Sequence, residues 1–248
     1  MARKKPVQEE VKELEVEVSP EQTLEIANSG VQTIMSIGLA EGLCLEDLRD
    51  RLFYLDSEVD DTLLHTVTMQ ILKINGMDYG IPPEDRQPIV LIVNSGGGSV
   101  FDGCGLMGAI INSATPVIGV CVSYAMSMAF SIFSVCHVRF AMPNAIFLYH
   151  DGYETYSNTA TKTADLAAFT PRLDKRINKM IAQRSKFTVK KLEKIAPHDN
   201  YWFADEMKEM GIVDGIIGED ISIGELFGFM SGESCDCGDE ECDCKKKK

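Results

Sequence analysis

Apolar positions in the middle of the chain fall into short β-branched runs separated by stretches of helical character. Pro88 to Val93 is continuously apolar after the proline, the pattern of a strand covered on both faces. Asn94-Ser95-Gly96-Gly97-Gly98-Ser99 is a glycine turn, and a helix follows from about Phe101 to Ala114. Thr115-Pro116 ends that helix, and Val117 to Val122 is the next strand. A helix from about Ser127 to Val135 then precedes two short strands, Arg139 to Ala141 and Ala145 to Tyr149. The succession is βαβαβ, which predicts a mostly parallel sheet with helical crossovers.

The flanks are less regular. Arg51 to Leu55 reads as a short strand, and Ser57 to Asp61 supplies capping residues for a helix from about Asp61 to Asn75. Met77 to Gln87 is a surface loop. Beyond the centre, Asp151 to Thr163 is polar and exposed, and a long helix runs from about Ala164 to Ser185 with a kink or restart at Pro171. Thr188 to Ile195 and Trp202 to Met210 read as helices, and Gly211 to Ile216 as a closing turn and strand. Near the start, Glu21 to about Gly42 has helically spaced apolar residues broken by Gly30 and Gly38, and residues 1–22 are too polar for a core.

Composition narrows the class. With 248 residues, 45% hydrophobic and 25% charged, the chain is an ordinary globular protein large enough to need no disulfide staple. The net charge of −14 argues against sequence-independent nucleic-acid binding, which needs Lys and Arg to displace counterions. No Asp, Glu, Lys or Arg occurs from Gly103 to Val138. Val117 to Cys136 is therefore long enough to invite a membrane span, but Pro116, Gly119 and the serines within it favour a buried strand and helix. No apolar segment follows Arg3-Lys4-Lys5, so no secretory signal is read. Cys44, Cys104, Cys121 and Cys136 sit singly among apolar residues and are read as buried thiols in a reducing, cytoplasmic setting.

Three polar residues stand where the sheet pattern breaks. Ser127 lies at a strand-to-helix turn, where a serine is most often an N-cap. His150 ends a strand, and Asp199 lies in a loop before Trp202. The glycines at 96–98 let backbone N–H groups approach a ligand or an oxyanion, and no Lys-Ser/Thr follows to make a phosphate loop. Each feature alone has an ordinary structural explanation.

Together, and in this order, they resemble the Clp protease proteolytic subunit (ClpP) family of serine peptidases. The resemblance is carried by Asp50-Arg51-Leu52-Phe53-Tyr54-Leu55, Val93-Asn94-Ser95-Gly96-Gly97-Gly98-Ser99-Val100 and the Ser127-Met128 turn. It continues through Arg139-Phe140-Ala141-Met142-Pro143-Asn144-Ala145, the His150 strand end and Glu206-Met207-Lys208-Glu209-Met210-Gly211-Ile212-Val213-Asp214, covering about residues 46–218. It implies an α/β, crotonase-like ClpP fold of repeated β-β-α units, with a mostly parallel sheet and a protruding handle helix. It also implies Ser127 as nucleophile, His150 as base and Asp199 as acid, with the backbone N–H groups of Gly98 and Met128 as oxyanion hole. By the same resemblance the substrates are unfolded proteins or peptides, the assembly is a homo-oligomeric ring (a heptamer or double heptamer), and a Clp-type AAA+ unfoldase is the partner. No cofactor, nucleic acid or membrane is implied, and the setting is cytoplasmic.

The chain departs from the family at several points. Gly96 stands where members usually carry proline, Met126 and Ala129 add bulk beside Ser127, and Gly152-Tyr153-Glu154-Thr155-Tyr156 replaces a glycine-rich handle strand. Asn200 follows the acid where an arginine used between rings is common. These departures motivate an alternative, a catalytically weak or inactive structural or regulatory ring subunit. An acyl-CoA-handling enzyme of the same superfold would use the oxyanion N–H groups but has little need of a triad. Residues 1–45 are read as a charged extension and 219–248 as an acidic, Cys-rich, disordered tail. In that tail Cys235-Asp236-Cys237 and Cys242-Asp243-Cys244 could hold zinc, although the Cys-x-Cys spacing is tighter than usual and no metal site is assigned.

Overall fold

A computed structural model describes residues 51–152 and 157–231. The charged extension, the helix expected between Glu21 and Gly42, Cys44, Tyr153 to Tyr156 and the Cys-x-Cys pairs lie outside those residues. Seven strands form one sheet: β1 (Leu52–Leu55), β2 (Ile89–Ser95), β3 (Val117–Met126), β4 (Val138–Ala141), β5 (Ile146–Tyr149), β6 (Asn200–Phe203) and β7 (Gly215–Ile216). The helices are α1 (Met69–Met77, preceded by a π-helical turn over Leu64–Thr68), α2 (Val100–Asn112), α3 (Met128–Ser134), α4 (Ala160–Ala182), α5 (Val189–Ile195), α6 (Ala204–Glu209) and α7 (Ile223–Ser231).

The main path of the sheet is β1-β2-β3-β4-β7, parallel throughout. β3 is long enough to serve two neighbours. Ile118 to Cys121 pair with β4, and Tyr124 to Met126 pair with β5. β6 adds to the far side of β5 as the one antiparallel partner among the described strands. The sheet is thus α/β and mostly parallel, as expected, and β3 forks it into a second arm that carries the polar residues of interest.

Alternation within the central strands explains why they read as unbroken apolar runs. Ile89, Leu91 and Val93 of β2, with Val117 and Cys121 of β3, face the main core under α1, α2 and α3. Val90, Ile118 and Val120 point the other way, into a smaller core shared with Ile217 and Leu226. With both faces covered, Ile89 to Val93 and Val117 to Cys121 carry no polar residue. The uncharged stretch is neutral because it is interior: Phe130, Ile132 and Phe133 of α3 have no exposed surface. Among the described residues no helix is long and apolar enough to cross a membrane.

The structure revises several expectations. The helix read over Trp202 to Met210 begins at Ala204, and its first residues belong to β6. Trp202 stacks at 6.5 Å from Phe130 and 5.8 Å from Phe187, while Tyr201 and Phe203 are exposed, so the local period is two. The helix from Asp61 starts later, because Asp60 instead accepts from the Thr62 N–H and holds a turn. The long helix begins at Ala160 and passes through Pro171 without a restart. Residues 160–176 are not buried, so water can satisfy the carbonyl that Pro171 leaves without a donor. That exposed portion matches the protruding handle, and only Ile177, Asn178 and Ile181 bury its far end. Cys121 and Cys136 are buried thiols, pushed up to about 12 by burial, whereas Cys104 is only half-buried. Residues 219–231, placed in the tail by composition, carry a bridge from Ile217 to Ile221 and α7, whose Leu226 fills the second core.

Candidate active site

Ser127 is the residue after β3. Its N–H donates to Leu148 O on β5 at 2.9 Å, extending the parallel pairing by one step. Its backbone has φ 53° and ψ −121°, a left-handed geometry that favours glycine and costs a serine about 1–3 kcal/mol. The strain turns the chain sharply from β3 into α3. The hydroxyl makes no capping hydrogen bond to that helix, so the ordinary explanation for a serine at this position does not apply.

His150 and Asp199 meet through β5 and β6. His150 is the residue after β5 and Asp199 the residue before β6, and Nδ1 of the imidazole lies 2.8 Å from Oδ1 of the carboxylate. An ionised carboxylate only accepts, so the Nδ1–H donates, and in the neutral ring this leaves the lone pair on Nε2. Three further bonds hold the pair in place. Asn200 Nδ2 donates to Tyr149 O at 3.1 Å and to Ile195 O at 2.8 Å, and the Asp151 N–H donates to Ala196 O at 2.8 Å. The side chain of His150 is 28% exposed and that of Asp199 is 58% exposed, so solvent reaches the acid and screens its charge.

The glycine turn closes the site from β2. Gly97 has φ +94°, and a Cβ there would lie 2.7 Å from Met126 O and 2.8 Å from both Met128 N and Ser127 Cβ. Only glycine lets this turn rest on the Ser127 elbow. Gly98 forms a parallel bridge with Val59 in which Val59 N–H donates to Gly97 O and Ser99 N–H donates to Val59 O. The bridge uses the groups on either side of Gly98 and leaves its own N–H without an acceptor among the described residues. Met128, first residue of α3, likewise has no intrahelical acceptor for its N–H. Its side chain is buried against Gly103 of α2.

Ser127 and His150 stand between two clefts and line both. One, of about 350 Å³, lies against α4 and α5 and includes Met128; the other, of about 520 Å³, includes Gly98 and the rest of the glycine turn. No Ser127–His150 hydrogen bond is formed among the described residues, as is common for catalytic pairs without bound substrate. On the wall of the first cleft the Tyr149 hydroxyl donates to Asn178 Oδ1 at 2.7 Å. Burial pushes that phenol up to about 12. Sequence reading missed Asn178 and the tie made by Asn200. A signal for Asn178 was present, since it falls in the apolar stripe of α4 beside Ile177 and Ile181.

All five residues singled out by the sequence are thus brought to one place. Among the described residues no group of three His, Cys, Asp or Glu side chains could hold a metal ion. A family model described as Clp protease matches residues 43–220, which include the whole sheet and every residue of this site.

Proposed function

The chain belongs to the Clp protease family, and we propose that it is a serine endopeptidase subunit that hydrolyses peptide bonds of unfolded polypeptides through Ser127, His150 and Asp199. The observation that carries this reading is the His150–Asp199 hydrogen bond, made by a histidine that lines both clefts together with Ser127. His150 Nε2 takes the proton of Ser127 Oγ as the oxygen attacks a substrate carbonyl. Asp199 fixes the tautomer and orientation of the ring and stabilises it while it carries the second proton. The carbonyl oxygen becomes an oxyanion and is received by the N–H groups of Gly98 and Met128, each such donor contributing about 3–4 kcal/mol. His150 then passes its proton to the leaving amine, and water, deprotonated by the same imidazole, releases the acyl group from Ser127.

In this reading the subunit works within a homo-oligomeric ring supplied by a Clp-type AAA+ unfoldase, in a reducing, cytoplasmic compartment consistent with the free thiols at Cys121 and Cys136. Family membership supports the ring and the unfoldase. The test is hydrolysis of short fluorogenic peptides and of an unfolded protein by wild type and Ser127→Ala, with native mass measured on both. Turnover by wild type alone, from a ring of several subunits, is expected; equal turnover by the two proteins would refute the assignment.

A catalytically weak ring subunit is the second reading, favoured by the bulk that Met126 and Ala129 add beside Ser127. It predicts a ring of the same mass that turns over neither substrate, with or without residues 1–45.

A further inference from the structure

The cleft against α4 and α5 carries a charge pattern that the hydrolytic steps do not use. Asp151, Asp174 and Glu193 line it, and Lys175 is the one lysine or arginine among its described lining residues. Asp174 is one turn ahead of Asn178 on α4 and shares the stripe that Ile177, Asn178 and Ile181 turn toward the body of the protein. Lys175 is one position off that stripe and exposed. The negative field is felt within the cleft, where the carboxylates of Asp174, Asp151 and Glu193 all add to the upward shift that burial imposes on the Tyr149 phenol. Apolar surface lies beside these charges, from Val100, Pro171 and Ile177.

Building on the peptidase reading, we propose that this cleft receives a long cationic side chain, lysine or arginine, from the residue whose carbonyl Ser127 attacks. Ser127, Met128 and His150 line the same cleft, so the side chain nearest the attacked carbonyl is the one that enters. Such a side chain lays its methylene stem along Ile177 and Pro171 and carries its charge to the carboxylates. A leucine fills the apolar part but brings no opposite charge to the carboxylates. A glutamate meets like charge and is disfavoured further.

Two peptidyl diphenyl phosphonates that differ only in a lysine-like or leucine-like side chain next to phosphorus test this. In each, Ser127 Oγ forms a bond to phosphorus and displaces phenoxide, so the inactivation rate reads entry of that side chain. The expected lysine-to-leucine rate ratio is about tenfold, falling about three- to fivefold in Asp174→Asn and in Glu193→Gln and shrinking as salt is raised. Because both probes act on the same preparation, loss of folded protein cancels in the ratio. A ratio of one or less, or a ratio that neither substitution changes, overturns the proposal. A small fluorophosphonate without a recognition side chain separates the two levels. If it labels Ser127 while the ratio fails, only the specificity is wrong; if it labels nothing, the peptidase reading falls and the specificity with it.

Discussion

Tyr149 and Asn200 are partners on the last rung of the antiparallel β5–β6 ladder, so His150 and Asp199 occupy the next rung and face each other. Strand register brings together the proposed acid and the proposed base, which lie 49 positions apart in sequence. Because Asp199 is largely exposed, its hold on the imidazole is screened. Asp199→Asn is expected to lower kcat by about 10³-fold, less than the roughly 10⁴-fold lost where a triad acid is buried. Peptide hydrolysis under saturating substrate measures it.

In the proposed mechanism Asn200 acts as a positioning residue. Its amide ties Tyr149 O to Ile195 O across the gap that His150 and Asp199 bridge. Asn200→Ala should lower kcat about tenfold while KM stays near wild type, since a small displacement of catalytic groups costs rate. Unfolding in urea should show a loss of about 1–2 kcal/mol. A change confined to stability, with kcat intact, would assign Asn200 a structural role only.

The contact between Gly97 and the Ser127 elbow leaves no room for a side chain. Gly97→Ala must displace backbone atoms of Met126 or Met128, which moves the proposed oxyanion donors. We expect kcat to fall by at least about 10²-fold. Gly105→Ala is the control, because Gly105 lies in α2 with nothing near its Cβ position; it should raise stability by about 0.5–1 kcal/mol and leave kinetics unchanged. Steady-state kinetics and thermal unfolding of the two variants distinguish a specific clash from general glycine loss.

Arg51 and Asp78 fix the strand that starts the sheet. Both terminal guanidinium nitrogens, Nη1 and Nη2, donate to the Asp78 carboxylate at 2.7 Å, and the Thr115 hydroxyl donates to it as well. Arg51 holds the carboxyl of Asp78 below its ordinary value of 3.8. This contribution to stability is therefore complete above the unfolded value and is lost as pH falls below it through the folded one. Asp78→Asn should destabilise the protein by about 3 kcal/mol at neutral pH and remove part of the acid-induced loss, as read from urea unfolding between neutral pH and pH 3.

Much of this architecture was legible in the order of residues. Continuous apolar runs located β2 and β3, the glycine turn and Thr115-Pro116 bounded α2, and the resemblance brought Ser127, His150, Asp199, Gly98 and Met128 together. What periodicity could not supply was tertiary in origin. Trp202 and Phe203, the second half of β6, read as the start of a helix because Asn200 to Phe203 is only four residues long and its period of two becomes visible once Trp202 is seated among Phe130 and Phe187. The same strand carries the register that pairs His150 with Asp199, so geometry for the acid was out of reach of local pattern. The positive φ of Ser127 was likewise hidden, since a serine gives no local sign of strain that the β3–β5 pairing imposes. The role of Asn200 emerged only when Ile195 O and Tyr149 O were seen to converge on one amide.

The most direct measurement is the site and rate of modification by a small fluorophosphonate, mapped by mass spectrometry of the digested protein. The account predicts a single adduct on Ser127, none in Ser127→Ala, and a rate slowed by at least about 10²-fold in His150→Ala. An adduct at another residue, or a rate on Ser127 that His150→Ala leaves unchanged, would contradict it.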